Sequence, residues 1–195
     1  RTVKNRFGPA DEVGCFDLGP DGITAVTDPT GLFVENHQSR VPGTCVAVTM
    51  EGRRPMLAEV QALVTRSAME RPRRTTSGLD SARVAMILAV LSKHCKIDLS
   101  SDDVYTASVG GARLVEPSVD LAVAIATASA HQDRPAPHDL VAFGEVGLAG
   151  EVRKVSNLTA RLREAERIGF ARAVVPAGSE GLETFKGTIS ISAVR

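Results

Sequence analysis

From Thr44 onward, short β-branched runs alternate with longer runs rich in alanine and leucine, most of them closed by Gly or Pro. That alternation narrows the possible folds more than any other feature. Thr44–Glu51 and Met56–Val64 are apolar, β-branched and separated by Gly52-Arg53-Arg54-Pro55, which predicts an antiparallel hairpin. Gly78–Ser92 reads as a helix buried on most sides, with Asp80 near its start complementing the helix dipole. Val104–Val109 reads as a strand ending in Gly110-Gly111, and Ser118–Ala130 as a second helix of small residues. Leu140–Val146 and Glu151–Val155 follow as strands joined by a turn around Gly147 and Gly150. In Asn157–Gly169, Leu158, Leu162, Ala165 and Ile168 recur at helical spacing, Asn157 offers a cap and Gly169 a stop. Ala171–Val175 is expected to be the last core strand, ended by Pro176. Strands that pair early and then alternate with helices give an α/β or α+β class with a mixed sheet.

Upstream, the opening Arg1-Thr2-Val3-Lys4-Asn5-Arg6-Phe7-Gly8-Pro9 is basic. Turn chemistry at Asp28-Pro29-Thr30-Gly31 predicts a hairpin between Val13 and Val34, and Asn36–Gly43 reads as a linker. The 23 Lys+Arg balance 23 Asp+Glu, which excludes a wholly basic nucleic-acid binder but not a local basic patch. No apolar run approaches the roughly 18–20 residues of a membrane span, so no membrane partner is expected. Cys15, Cys45 and Cys95 are odd in number, lack a CxxC and sit among apolar neighbours, which fits small buried hydrophobes in a reducing compartment. The chain begins without Met and both ends lie in patterned sequence, so a piece of a longer protein is expected.

No GxxxxGK[ST] or GxGxxG is present, so neither common phosphate-binding loop is available, and Gly110-Gly111 reads as a turn. His37, His94, His131 and His138 lie in linkers or near helix ends without HExxH spacing. Ser118, after Pro117 at a helix start, reads either as a first-turn serine bonding free amides or as a nucleophile.

Two segments carry a resemblance. Val115-Glu116-Pro117-Ser118-Val119-Asp120-Leu121-Ala122-Val123-Ala124 and Phe143-Gly144-Glu145-Val146-Gly147-Leu148-Ala149-Gly150-Glu151-Val152 make residues 43–178 similar to the proteolytic domain of Lon proteases. The resemblance implies a Lon-type fold, like domain 2 of ribosomal protein S5, with a mixed sheet and packed helices. It also puts Ser118 at the nucleophile position and Thr159 at the position of the activating lysine. Threonine has no titratable amine, the usual glycines are replaced by Glu116 and Asp120, and Lys154 lies five positions before Thr159. The dyad is therefore read as degenerate, with a Lon-type, ATP-independent serine peptidase using Ser118 as the alternative.

Joined to Lys4-Asn5-Arg6-Phe7-Gly8, the degenerate signature resembles the bacterial RadA (Sms) family. The resemblance implies that residues 1–42 are the end of a RecA-like ATPase core with its KNRFG motif and a linker hairpin, and that 43–195 are a Lon-like domain. It further implies a cytoplasmic bacterial protein that works with RecA in branch migration on single- and double-stranded DNA, assembled as a homohexameric ring. Lys4 and Arg6 would contact nucleotide in the neighbouring subunit. No cofactor is expected within these residues; ATP and magnesium would belong to the parent's core and zinc to its N-terminal finger.

Arg66-Ser67-Ala68-Met69-Glu70-Arg71-Pro72-Arg73-Arg74 carries four arginines and one glutamate, a local net of +3, and is expected to be an exposed loop. Arg71, Arg73 and Arg74, with Arg53 and Arg54 in the preceding turn, are DNA candidates through phosphate contacts; Arg40, Arg113 and Arg153 flank other turns. A solvated or subunit-bridging loop is the competing reading, and a pure oligomerisation module the competing function.

Overall fold

The computed structural model describes residues 15–19, 22–26 and 41–195. Strands β1 (Cys15–Gly19) and β2 (Gly22–Val26) pair antiparallel with Gly19 opposite Gly22. The two strands thus pair with each other ahead of the turn expected at Asp28–Gly31, which lies outside the described residues. Gly31–Glu35, Lys4, Arg6, His37 and Arg40 lie outside the described residues.

The main body is a seven-stranded mixed sheet. Its strands are β3 (Thr44–Glu51), β4 (Arg54–Arg66), β5 (Arg74–Ser77), β6 (Asp102–Ser108), β7 (Leu140–Ala142), β10 (Arg172–Pro176) and β11 (Ser190–Val194), in the order β11-β10-β7-β3-β4-β6-β5. The expected hairpin forms, Thr44 opposite Gln61 and Glu51 opposite Arg54, while β11-β10-β7-β3 and β5-β6 are parallel. A two-stranded antiparallel pair, β8 (Glu145–Val146) with β9 (Val152–Arg153), stands apart, so the predicted strand at Leu140–Val146 is broken at Phe143-Gly144.

Period-two alternation sends neighbouring residues to opposite faces. Cys45, Ala47, Ala58, Val60, Ala62 and Val104 face one core with helices α1 (Ser81–Cys95) and α2 (Asp120–Gln132). Val46, Val48, Leu57, Val141, Phe143, Ala173 and Val175 face the other, under α3 (Leu158–Ile168). Gly43 closes the start of β3, with φ at +89°, its N–H donating to Ser129 Oγ at 3.0 Å and its carbonyl accepting from Ala62 N. A Cβ there would run into the Ala62 carbonyl, so only glycine fits.

Several expectations are corrected. Helix α1 buries Val84, Ile87, Leu88, Val90 and Leu91 but leaves Ala82, Ala85, Met86 and Ala89 exposed, so it is amphipathic rather than buried on most sides. Asp80 is its N-cap, accepting from Arg83 N at 2.9 Å. Asn157 precedes α3 in the left-handed region (φ 57°) and makes no side-chain cap bond, whereas Gly169 does end the helix with φ 105°. Val175 does not belong to the last strand, because β11 follows and extends the sheet; its Ser/Ala composition hides it from hydrophobic pattern. Of the cysteines, Cys45 is buried, which with nearby Glu59 pushes its thiol up to about 12, but Cys95 is exposed. Among the described residues no helix is long and apolar enough to cross a membrane.

Candidate functional site

The two segments behind the Lon resemblance meet in space. Pro117–Val119 form a single 3-10 turn leading into α2, and the Ser118 carbonyl accepts from Gly144 N at 2.8 Å while the Gly144 carbonyl accepts from Leu121 N at 3.1 Å. Gly144 is required by this approach: a Cβ would lie 2.6 Å from Val152 Cγ1 and 3.1 Å from Pro176 Cγ.

Ser118 is 1% exposed. Its hydroxyl accepts from Nη1 of Arg161 at 3.1 Å. Arg161 was not singled out by sequence. It is fully buried, donating from Nε to the Ser156 carbonyl at 2.9 Å and from Nη1 to the Val48 carbonyl at 2.5 Å. Nη1 also donates to Glu116 Oε2 at 3.1 Å, and Nη2 pairs with Glu116 Oε1. The guanidinium lies 5.8 Å from the centroid of the Phe143 ring. Glu116 accepts further bonds from Thr49 Oγ1 at 3.0 Å and Met50 N at 2.8 Å. Burial pushes its carboxyl upward, but the bonds from Arg161 and Ser118 and the guanidinium charge outweigh burial and hold it below the ordinary value.

A second ion pair lies across the same turn. Asp120, 1% exposed, accepts from Arg83 Nε at 3.1 Å and Val146 N at 3.1 Å, and also pairs with Arg83 Nη2. Here burial dominates and the carboxyl is pushed up, the Arg83 and Val146 bonds only opposing it. Arg83 approaches Glu145 Oε1 at 3.7 Å, which Arg153 approaches at 3.6 Å.

Thr159, two positions before Arg161 and so on the opposite side of α3, sits against Gly181: a Cβ on Gly181 would lie 2.6 Å from its hydroxyl. Lys154 is exposed beside Gly178, whose Cβ would lie 3.8 Å from Nζ. The basic group on Ser118 is therefore Arg161, a guanidinium that donates hydrogen bonds and has no acceptor, so it cannot take the serine proton.

The arginine candidates divide into separate groups. Arg53 occupies the β3–β4 turn and Arg54 opens β4; Arg66 closes the same strand, roughly 40 Å away at ~3.3 Å per residue. Arg71 and Arg73 are exposed. The expected loop is shorter than predicted, because Arg74 begins β5 and its guanidinium is tied to the carbonyls of Arg73 (3.0 Å), Leu99 (2.6 Å) and Asp102. Carboxylates face the group: Asp102 Oδ1 is 3.8 Å from Arg66 Nη1, and Asp103 Oδ1 accepts from Arg73 N at 2.7 Å. Arg113 is exposed beyond Gly110-Gly111, and Arg153 binds Glu151 through Nε (2.9 Å) and Nη2 (2.6 Å). Among the described residues no cluster suits a metal ion.

The family model described as subunit ChlI of Mg-chelatase matches residues 59–179, the stretch that holds both ion pairs. The DNA repair protein RadA of Mycolicibacterium smegmatis is 56% identical over 178 residues, covering 91% of this chain and 38% of the relative. The protein of the same name from Mycobacterium tuberculosis is 47% identical over 199 residues (100% and 42%), and that of Pseudomonas aeruginosa 47% over 195 (100% and 43%). The chain spans about two fifths of the length of these relatives. With the model over more than half of the chain and identity at this level over 91–100% of it, the chain belongs to the family that the ChlI model describes and to the bacterial RadA proteins.

Proposed function

We propose that this chain is a non-proteolytic, Lon-like scaffold domain of a RadA-type DNA repair ATPase, supporting ring assembly and offering arginines to DNA. One observation carries the non-proteolytic part. The hydroxyl of Ser118 is bonded at 3.1 Å by a buried guanidinium, which has no lone pair to take its proton. The neighbouring Glu116 carboxylate is engaged by Arg161, Thr49 and Met50 and held below its ordinary value, which makes it a poor base. The full relatives are named for DNA repair, and their remaining three fifths leave room for the ATPase core absent from these residues. In this reading ATP, magnesium and zinc belong to that remainder, Lys4 and Arg6 contact nucleotide across a hexameric subunit boundary, and RecA and DNA are the partners in the bacterial cytoplasm.

A second reading, a pure oligomerisation module, is favoured by Asp102 and Asp103 facing the arginine stretch, since those carboxylates offset part of its charge. Binding of duplex and single-stranded DNA at two salt concentrations separates the two: a DNA role requires affinity that falls as salt rises, and Arg71→Ala/Arg73→Ala should flatten that slope. For the first reading, casein and a fluorogenic peptide should remain uncut. Hydrolysis that disappears in Ser118→Ala would overturn it.

A further inference from the structure

Within the arginine stretch that ends at β5, Arg73 is held differently from its neighbours. Arg66 pairs with Asp102, and Arg74 is tied to three backbone carbonyls. The guanidinium of Arg73 makes no ion pair among the described residues; its Nη2 donates instead to the thioether sulfur of Met69 at 3.1 Å. Asp103 takes the backbone N–H of Arg73 at 2.7 Å and otherwise acts on its side chain through charge alone. That bond fixes one end of the contact. At the other end Met69 N donates to Ser67 Oγ at 3.2 Å, so the two side chains meet across a short loop whose backbone is pinned on both sides. A thioether is a weak acceptor, so the Met69–Arg73 bond gives way easily to a phosphate. Met69 is 54% exposed, against 38% for Met86, while Met50 and Met56 are half-buried. It is therefore the methionine that an oxidant in solution meets first. Among the described residues, no other methionine sulfur accepts from a guanidinium.

We propose that Met69 is a site of reversible oxidation whose sulfoxide captures the Arg73 guanidinium. This rests on the reading that these arginines meet DNA, and adds a regulation to it. The reaction takes a two-electron oxidant of the hydroperoxide class. With hydrogen peroxide, the sulfur lone pair attacks one peroxide oxygen, the O–O bond breaks and an S–O bond forms. The proton on the transferred oxygen passes to the leaving hydroxide, which departs as water; sulfur is oxidised by two electrons and peroxide reduced by two. The product exchanges a weak sulfur acceptor for a polar, strongly accepting oxygen. Because the sulfur already lies 3.1 Å from Nη2, rotation about the side-chain bonds brings the new oxygen to the guanidinium in one of the two sulfoxide epimers. Arg73 must then give up a good acceptor before it reaches a phosphate, and the stretch loses that contact with no change in its net charge. Reduction of the sulfoxide by an epimer-matched reductase returns the thioether and frees Arg73 again.

The test exposes the chain to hydrogen peroxide, maps the oxidised peptides by mass spectrometry and follows anisotropy of a fluorescein-labelled duplex, with circular dichroism to verify that the oxidised chain stays folded. Met69 should gain one oxygen ahead of Met50, Met56 and Met86, and affinity for the duplex should fall about two- to fivefold, as the loss of one hydrogen bond's worth of availability requires. Methionine sulfoxide reductase should restore it. Met69→Leu should bind as the unaltered chain does and keep its affinity through the same treatment, whereas Arg73→Ala should start weaker and lose nothing more. A Met69 that resists oxidation, an oxidised chain that binds as before, or a Met69→Leu chain that loses affinity equally would each overturn the proposal. A second readout needs no DNA: in the 15N-labelled chain the Arg73 Nε–H resonance should shift on oxidation and exchange more slowly with water. An unchanged Arg73 signal overturns the capture. If that signal responds while the unaltered chain has no salt-dependent affinity for duplex, the DNA reading fails and the sulfoxide–guanidinium capture stands.

Discussion

Glu116 and Asp120 stand two residues to either side of Ser118, each buried or half-buried and each paired with an arginine, yet their carboxyls move in opposite directions. Glu116 has a fully buried arginine, a serine hydroxyl, a threonine hydroxyl and a backbone amide around it, and its side chain keeps 26% exposure. Asp120 has an arginine that is itself 28% exposed and one amide, with its own side chain only 2% exposed and Glu145 nearby. The difference teaches that an ion pair alone does not decide whether a buried carboxylate is comfortable. The number of donors aimed at it, set against the water it has lost, decides.

The contrast can be broken most directly at Arg161. Arg161→Met removes every donor that it supplies to Glu116, Ser118 and the carbonyls of Val48 and Ser156, and should cost about 3–5 kcal/mol in urea unfolding. Arg83→Ala should cost less, about 1–3 kcal/mol, because Arg83 is partly solvated and Asp120, already pushed up, can take a proton instead. If the two losses are equal, the asymmetry drawn here is wrong.

The pH dependence sharpens the comparison further. Glu116, held below its ordinary value, contributes stability that is present above the unfolded carboxylate range and lost as pH falls through its folded pKa. Asp120, pushed up, contributes stability that is present below that range and lost as pH rises through its folded pKa. Relative to the unaltered chain, Glu116→Gln should therefore gain as pH falls, and Asp120→Asn should gain as pH rises, read from thermal unfolding between about pH 3 and 7. Ser118→Ala should have the smallest effect, about 1 kcal/mol, since Arg161 keeps its other acceptors. A much larger loss would make the hydroxyl a principal support of the pair.

Much of this was legible before any coordinates. The β3–β4 hairpin, α2, α3 with its Gly169 stop and the break at Gly147–Gly150 all follow from apolar period and turn residues. The reading of Thr159 at a lysine position came instead from the resemblance to Lon proteases. The arginine that bonds Ser118 was not legible, because Arg161 lies on α3 between Ala160 and Leu162 and reads in one dimension as an ordinary helical arginine. Only the packing of α3 against β3 turns it inward, where the Val48 carbonyl and Glu116 meet it. The signal that could have found it was Glu116 itself, a carboxylate in an apolar stretch and needing a cation. β5 and β11 were missed for a different reason: Arg74-Thr75-Thr76-Ser77 and Ser190-Ile191-Ser192-Ala193-Val194 are edge strands, whose composition is set by solvent rather than by a core.

Strand β4, thirteen residues from Arg54 to Arg66, sends Leu57 into one hydrophobic cluster and Ala58, Val60 and Ala62 into the other. Because a single backbone serves both clusters, neither can melt while the other keeps its wall. Heat or denaturant should thus take residues 43–195 apart in one cooperative step, and the slowest-exchanging amides should lie along β4 and its partner β3.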